Sequence, residues 1–298
     1  RPGMMVGLDF TQQYILKLGI IFLGIRLSFE ELIKFGSIAI PLIIICIFGV
    51  IILVKLLIKK VPISSKMSYL IAIGTSVCGA TAIVATAPVI NAKKSEVAYA
   101  IANITLFGVI AMIVYPYFAE WYFDNDSLKI GLFLGTSIHE TSQVAAAGLI
   151  YDQQFNSPET LNVATVTKLI RNTFLVILIP LFAFLYNRGE LKGQNYSILS
   201  IFPYFVIGFI GMIVVRNIGD QIFTTDNDSY VVWTNLIGYL KTLATVFLTM
   251  AMAAVGISIN LSELKSMGYK PFVVGLIAAI TVGFISLIYI ETLIKFIY

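Results

Sequence analysis

The sequence predicts an all-α polytopic membrane protein with an inverted-repeat, secondary-transporter-like fold. Two broken or re-entrant helical segments are expected, at about 67–90 and 128–150. Three observations carry this. Aliphatic, aromatic and cysteine residues make up 58% of the chain, charged residues 12%, and the mean hydropathy is +0.92. A soluble domain would be about half apolar and roughly a quarter charged. Second, two polar runs interrupt apolar segments: Gly74-Thr-Ser-Val-Cys-Gly-Ala-Thr-Ala-Ile-Val-Ala85 and Gly135-Thr-Ser-Ile-His-Glu-Thr-Ser-Gln-Val-Ala-Ala-Ala147. Hydroxyls and glycines at bilayer depth persist only where they are buried in protein or line a cavity. Third, 24–36 matches 256–268 in its Gly-Ile opening, its Glu-Leu and its closing Gly.

The elements follow in order. Seven spans are expected, at 11–27, 37–57, 97–118, 161–186, 198–215, 236–259 and 272–298. Each holds roughly 17–25 mainly apolar residues, enough to cross a bilayer. The interrupted segments fall after the second and third spans. The first pair of spans matches the last pair through 24–36 and 256–268. Segment 67–90 with its following helix matches segment 128–150 with its own: Ala102-Asn-Ile-Thr105 aligns with Ala164-Thr-Val-Thr167, and Pro116 with Pro180. The expected organisation is one transmembrane domain over 1–298, with a core at 66–186 and flanking repeat helices at 11–57 and 198–298. Helix 198–215 lacks a repeat partner and the chain opens abruptly at Arg1-Pro2-Gly3, so further N-terminal helices are expected.

Loop charge sets the expected topology. Lys59, Lys60 and Lys66, then Lys93 and Lys94, then Arg188 and Lys192, make three loops basic. Glu120, Asp124 and Asp126, then Asp152 and Glu159, then Asp220, Asp226 and Asp228, make three others acidic. All basic loops fall on the cytoplasmic side only if both interrupted segments enter and leave on one face. A broken helix that crosses is the alternative. The net charge of +4 is an orientation signal, not a nucleic-acid footprint. Cys46 and Cys78 lie in apolar segments, so no disulfide or thiolate metal site is expected, and no cofactor.

His139, the single histidine, and Glu140 sit inside the second interrupted segment. A carboxylate at bilayer depth is functional by default, and a neighbouring imidazole is a natural proton carrier. Lys168 and Arg171, three apart on one helix face, stand about a third of the way into the membrane. They are candidate anion ligands; a buried ion pair with Glu140 is the structural alternative. The aligned positions in the first repeat are Cys78, Gly79, Leu106 and Val109, all uncharged. Charge in one half only points to a site and not to a requirement of the fold. Thr75, Ser76, Thr136, Ser137, Gln143 and Asn103 are further substrate-binding candidates. Half-helices restarting after Gly79 and Glu140 would aim N–H groups inward and favour an anion. Arg26 and Lys241 are read as helix-end charges that snorkel.

The runs at 74–83, 135–144 and Ala164-Thr-Val-Thr-Lys-Leu-Ile-Arg171 resemble a bacterial family labelled as sulfate exporters, as do 18–27 and 252–257. Ser142 stands where that family is expected to carry alanine. The resemblance spans nearly the whole chain. It implies a multi-pass inner-membrane secondary carrier, distantly similar to cation/proton antiporters and bile-acid carriers, with helices before residue 1 and a homodimer by analogy.

The expected function is therefore export of a small inorganic or organic anion, sulfate or sulfonate-like, coupled to protons or to anion exchange. Lys168 and Arg171 would bind the anion, and His139 and Glu140 would carry the proton. The expected partners are the anion, protons or a counter-ion, and the lipid bilayer, with no nucleic acid. A sodium (or other cation)/proton antiporter built on Glu140 is the alternative. An intramembrane enzyme is disfavoured, since the sequence has no second histidine and no nucleophile motif.

Overall fold

The computed structural model describes residues 2–87, 90–175, 177–178, 181, 205–223, 229–258 and 268–297. Its helices are α1 (Pro2–Phe10), α2 (Leu16–Leu23), α3 (Phe29–Leu57), α4 (Ser65–Ser76), α5 (Gly79–Thr86) and α6 (Lys94–Phe123). They continue as α7 (Ser127–Ser137), α8 (Thr141–Phe155), α9 (Pro158–Thr173), α10 (Phe205–Ile222), α11 (Ser229–Ser258) and α12 (Tyr269–Ile297). A π turn, Thr11–Ile15, joins α1 to α2, and a 3-10 turn, Gly24–Arg26, ends α2. No strand occurs among the described residues. Among the described residues, four helices are long and apolar enough to cross a membrane: Phe29–Leu57, Lys94–Phe123, Ser229–Ala251 and Tyr269–Thr292. The chain is an all-α polytopic membrane protein.

Several boundaries differ from expectation. The second helix begins at Phe29, because Glu30 and Glu31 suit a first turn and Pro41 is tolerated inside. The helix expected from 236 begins at Ser229, which moves Lys241 from near its start to the thirteenth of 30 residues. The helix expected at 198–215 is described from Phe205 and runs on to Ile222. The C-terminal part of the 161–186 helix, Pro180, the basic loop with Arg188 and Lys192, and most of the 256–268 repeat lie outside the described residues.

The chain divides into two compact units, Arg1–Ser37 with Pro203–Ser258 and Ile38–Phe202 with Ile259–Tyr298. The second unit thus holds the expected 66–186 core together with most of α3 and all of α12.

In the first unit, α2 packs on α10 and α11 through small residues. A Cβ at Gly19 would stand 3.1 Å from Phe247 Cβ, and one at Gly208 2.8 Å from Ile21. Small residues of this kind let helices approach closely in lipid, where no hydrophobic drive separates helix from solvent. Ile25, Trp233 and Ile237 form a buried cluster there.

In the second unit, both interrupted segments are re-entrant hairpins. Ser64 caps α4 by accepting from Met67 N–H and donates to Glu96 of α6's first turn at 2.5 Å. Lys66 donates to Asn91 O at 2.7 Å, so α4 starts level with the return of the chain after α5. A Cβ at Gly74 would meet Ile83, which places α5 back along α4. For the second hairpin, Asp126 caps α7 by accepting from Lys129 N–H at 3.0 Å. Ser127, at the start of α7, bonds Ser157 Oγ at 2.8 Å, at the start of α9. Gly131 and Gly135 of α7 face Val163 and Thr167 of α9 in the same order, so these two helices run parallel. Thr141 of α8 meets Asn172 and Gly148 meets Leu161, so α8 runs antiparallel to α9 and back along α7.

One hairpin joins each end of α6, whose 30 residues span about 45 Å at 1.5 Å per residue. The hairpins therefore enter from opposite ends of α6 and meet tip to tip.

Gly135 makes the α7–α9 approach feasible: a Cβ there would lie 2.6 Å from Thr167 Cβ and 2.8 Å from Ala164 O. Gly135→Val is expected to cost about 1–3 kcal/mol by overpacking, or more if the helices separate. The check is the melting temperature of the purified protein in detergent. Gly211→Ala, with nothing within 4 Å of the added methyl, is expected to melt like the wild type.

Candidate functional site at the hairpin tips

Each tip is a helix end followed by a helix start. Helix α4 stops at Ser76 and α5 begins at Gly79, whose φ of +49° turns the chain in a conformation that suits glycine. Helix α7 stops at Ser137, Ile138 and Glu140 are extended, and α8 begins at Thr141. Two sets of C-terminal carbonyls and two sets of N-terminal N–H groups are thereby left without intrahelical partners in the middle of the fold.

Lys168 and Arg171 of α9 satisfy the carbonyls. Lys168 Nζ donates to Val77 O at 2.8 Å, to Ile138 O at 2.9 Å and to His139 O. Arg171 Nε donates to Ser76 O at 2.7 Å, and its two Nη groups donate to Thr136 O and Thr75 O. Both side chains are fully buried. Each cation thus ties one tip to the other and complements the negative ends of α4 and α7. Neither forms an ion pair with Glu140 among the described residues. All three ammonium protons are engaged, and the guanidinium is bonded on three nitrogens. Direct ligation of a substrate by these two residues, the leading expectation from sequence, would require breaking those bonds.

Glu140 occupies the other pole. Its carboxylate accepts from Thr105 Oγ of α6 at 3.1 Å, Glu140 is the N-cap residue of α8, and its side chain lies against Gly79 at the start of α5. The N-termini of α5 and α8 therefore converge on one carboxyl group. Unlike the two cations, Glu140 is only part-buried. A Cβ at Gly79 would stand 2.5 Å from Glu140 Cγ, so the glycine opens the space this side chain fills.

The remaining candidates separate. Gln143 completes the α8 cap, accepting from Glu140 N–H at 3.3 Å and donating to Thr105 O at 3.1 Å. It lies against Gly108, where a Cβ would collide with its amide. Thr136 bonds Leu132 O at 2.7 Å and Ser286 Oγ of α12 at 2.6 Å, and Ser76 donates to Ile47 O of α3. These two hydroxyls are engaged in packing. Asn103 is not part of the tips: its amide donates to Pro271 O at 3.0 Å and joins α6 to α12. Thr75 Oγ, Ser137 Oγ and His139 Nδ1 are buried and have no hydrogen-bond partner among the described residues. Buried polar atoms without partners are rare and mark the place of a water or ligand. Thr105 is not among the sequence candidates. The alignment of Thr105 with Thr167 was visible, but nothing in it singled out a carboxylate partner.

The chain matches a family model described as "Conserved hypothetical protein 698" over residues 2–275. It is 34% identical over 287 residues to a UPF0324 membrane protein of Fusobacterium nucleatum, covering 94% of this chain and 82% of that one. It is 34% identical over 269 residues to a UPF0324 membrane protein of Streptococcus agalactiae, covering 90% and 77%. The UPF0324 inner membrane protein YeiH of Escherichia coli K12 is 32% identical over 279 residues, covering 91% and 74%. These relatives carry the family label and no exporter label. No solved structure matches the chain.

Proposed function

Because the chain belongs to the UPF0324 family of multi-pass inner-membrane proteins, we propose that its opposed hairpin tips form the site of a secondary carrier for a small anion, with Glu140 as the proton-carrying group. The observation that supports this best is the position of Glu140, the N-cap residue of α8 with its side chain against Gly79 at the start of α5, where two helix N-termini meet. A helix end carries roughly half an elementary charge. The starts of α5 and α8 together balance an ionised Glu140, while Lys168 and Arg171 exceed the two helix C-termini by roughly one charge. The tips are therefore net positive even with Glu140 ionised, and more so once it is protonated.

The carboxylate and a substrate anion compete for the same N–H groups. Protonating Glu140 releases them, and an anion takes their bonds, so proton and anion load together. Thr105 and the hydroxyls of Thr75 and Ser137 supply neutral donors suited to an oxyanion. His139, buried beside Glu140, is the candidate proton relay. Lys168 and Arg171 act through their field and by holding the tips together. The inverted-repeat reading supplies the change of access, each hairpin opening the site to its own side. Sulfate or a sulfonate fits the required charge. Export follows from the family resemblance, with the gradients setting the direction.

A sodium/proton antiporter is the second reading, favoured because Glu140 is the only acid at the tips among the described residues. The positive surroundings oppose a bound cation. Proton flux in proteoliposomes of the full-length protein separates the two. With a pH gradient imposed and an internal pH dye, sulfate, sulfite or taurine is expected to speed its decay. A response to sodium alone would overturn the anion assignment.

A further inference from the structure

A basic face lies at one end of the second unit, away from the hairpin tips. Lys59 and Lys60 stand in the turn that ends α3, where their backbone N–H groups donate to Leu56 O and Leu57 O. Lys93 and Lys94 open α6, and Lys270 is in the first turn of α12. Contacts gather these ends. Just after Lys60 in the chain, Ser64 donates to Glu96 of α6, and Lys66 donates at 2.7 Å to Asn91 O, just before Lys93. Tyr99 of α6 donates to Gly268 O at 2.8 Å and Asn103 to Pro271 O at 3.0 Å, which brings the start of α12 to the start of α6. All five lysines are exposed.

Three features distinguish this face from ordinary helix-end charge. The first is polarity. Lys93, Lys94 and Lys270 stand at helix N-termini, where a cation opposes the helix dipole and an acid suits it. At the other end of the unit the acids are where the dipole wants them: Asp126 caps α7 and Glu159 sits in the first turn of α9. The second is balance. Across 55–66, 91–99 and 268–276 the chain holds one acid, Glu96. It is buried, and its two oxygens accept from Ser64 Oγ and from the Lys93 backbone N–H. None of the five ammonium groups forms an ion pair among the described residues. The third is depth. Helices α3, α6 and α12 are long and apolar enough to cross a membrane, and each of these lysines lies at or just beyond an end of one of them. That is the level of lipid headgroups. Tyr269, 73% exposed, stands at the same level, where aromatic side chains gather.

We infer that Lys59, Lys60, Lys93, Lys94 and Lys270 form a docking surface for the phosphodiester headgroups of anionic phospholipids. Depth selects a lipid, because the helices that carry these lysines pass directly into the acyl layer. Charge selects an anionic headgroup, because a choline group would add a cation to a face that already holds five. Lysine is suited to this: a point charge on a flexible stem follows a headgroup that exchanges with bulk lipid. The surface lies beside the base of the first hairpin, where Ser64, Lys66 and Glu96 meet. Headgroups bound there tie the ends of α3, α6 and α12 to one another next to that base.

Native mass spectrometry of the full-length protein tests this by counting retained lipid. The protein is equilibrated in detergent micelles holding equal amounts of phosphatidylglycerol and phosphatidylcholine. The wild type is expected to retain phosphatidylglycerol in excess, and the excess to shrink as salt rises. Lys59→Gln/Lys60→Gln and Lys93→Gln/Lys94→Gln are each expected to keep about half of that excess or less. Lys93→Arg/Lys94→Arg is expected to keep it. Lys129→Gln, which removes a like charge at the opposite end of the unit, and Glu140→Gln at the tips are both expected to match the wild type, so failure here is distinct from failure there. Equal retention of the two lipids by the wild type, an undiminished excess in both glutamine pairs, or an equal loss in Lys129→Gln would overturn the surface. Displacement of phosphatidylglycerol by sodium sulfate but not by sodium chloride at matched ionic strength would assign the lysines to a free oxyanion and overturn the lipid.

Discussion

Arg171→Met is expected to destabilise the protein by about 2–5 kcal/mol. The variant keeps much of the side-chain volume and leaves Thr75, Ser76 and Thr136 carbonyls without their charged donor. Removing one side of a buried charged interaction costs roughly 3–5 kcal/mol in proteins generally. Individual side-chain hydrogen bonds inside membranes average only about 0.6 kcal/mol, so three of them set the lower bound. Lys168→Met is expected to behave alike, since it frees the Val77, Ile138 and His139 carbonyls. Unfolding in mixed detergent measures both. Had either cation been a pure substrate ligand, its replacement would leave stability unchanged and remove only flux. Wild-type stability in both variants would therefore return them to the role first expected from sequence.

Glu140→Gln is the second large effect, and it is functional. Glutamine keeps the shape and an acceptor oxygen for Thr105 Oγ but cannot take up a proton. An ionised carboxylate about 4 Å from a bound anion opposes it by roughly 4 kcal/mol at an intermediate effective dielectric. That is near a thousandfold in affinity between the two protonation states. The variant is expected to bind or exchange the anion with no dependence on pH, and to carry no coupled proton flux. Counterflow of labelled sulfate and dye-reported proton flux, on the same proteoliposomes, read the two halves separately. Anion counterflow that keeps the wild-type pH dependence in Glu140→Gln would assign the proton to another group, with His139 the first to examine.

Parts of this site are plain in the sequence. The repeated Gly-Thr-Ser marks both hairpin tips, because a helix must end where small and hydroxylated residues sit at bilayer depth. The restarts at Gly79 and Thr141 fall where the polar runs place them. Loop charge favours re-entry but leaves a crossing broken helix as the alternative; the contacts of Ser64, Lys66 and Ser127 supply the rest. The partners of Lys168 and Arg171 were not, because a backbone carbonyl at a helix end has no side-chain signature. Their three-residue spacing showed a shared face but not what the face meets. Asn103 lies apart from the tips for a related reason: a polar residue in a membrane helix serves packing as readily as binding, and Gly275 on α12 makes room for it. Lys241 was misread because Ser229-Tyr-Val-Val-Trp-Thr-Asn235 is too mixed in polarity to announce a helix start, though the helix includes it. Boundaries without an apolar edge are the ones that pattern reading loses.

Proton uptake on anion binding tests the competition at the tips most directly. Sulfate is titrated into the full-length protein in weakly buffered, mildly alkaline solution with a pH indicator present, and binding is followed in parallel by calorimetry. One proton taken up for each anion bound, absent in Glu140→Gln, is the expected result. Binding of sulfate by the wild type with no proton uptake would contradict it.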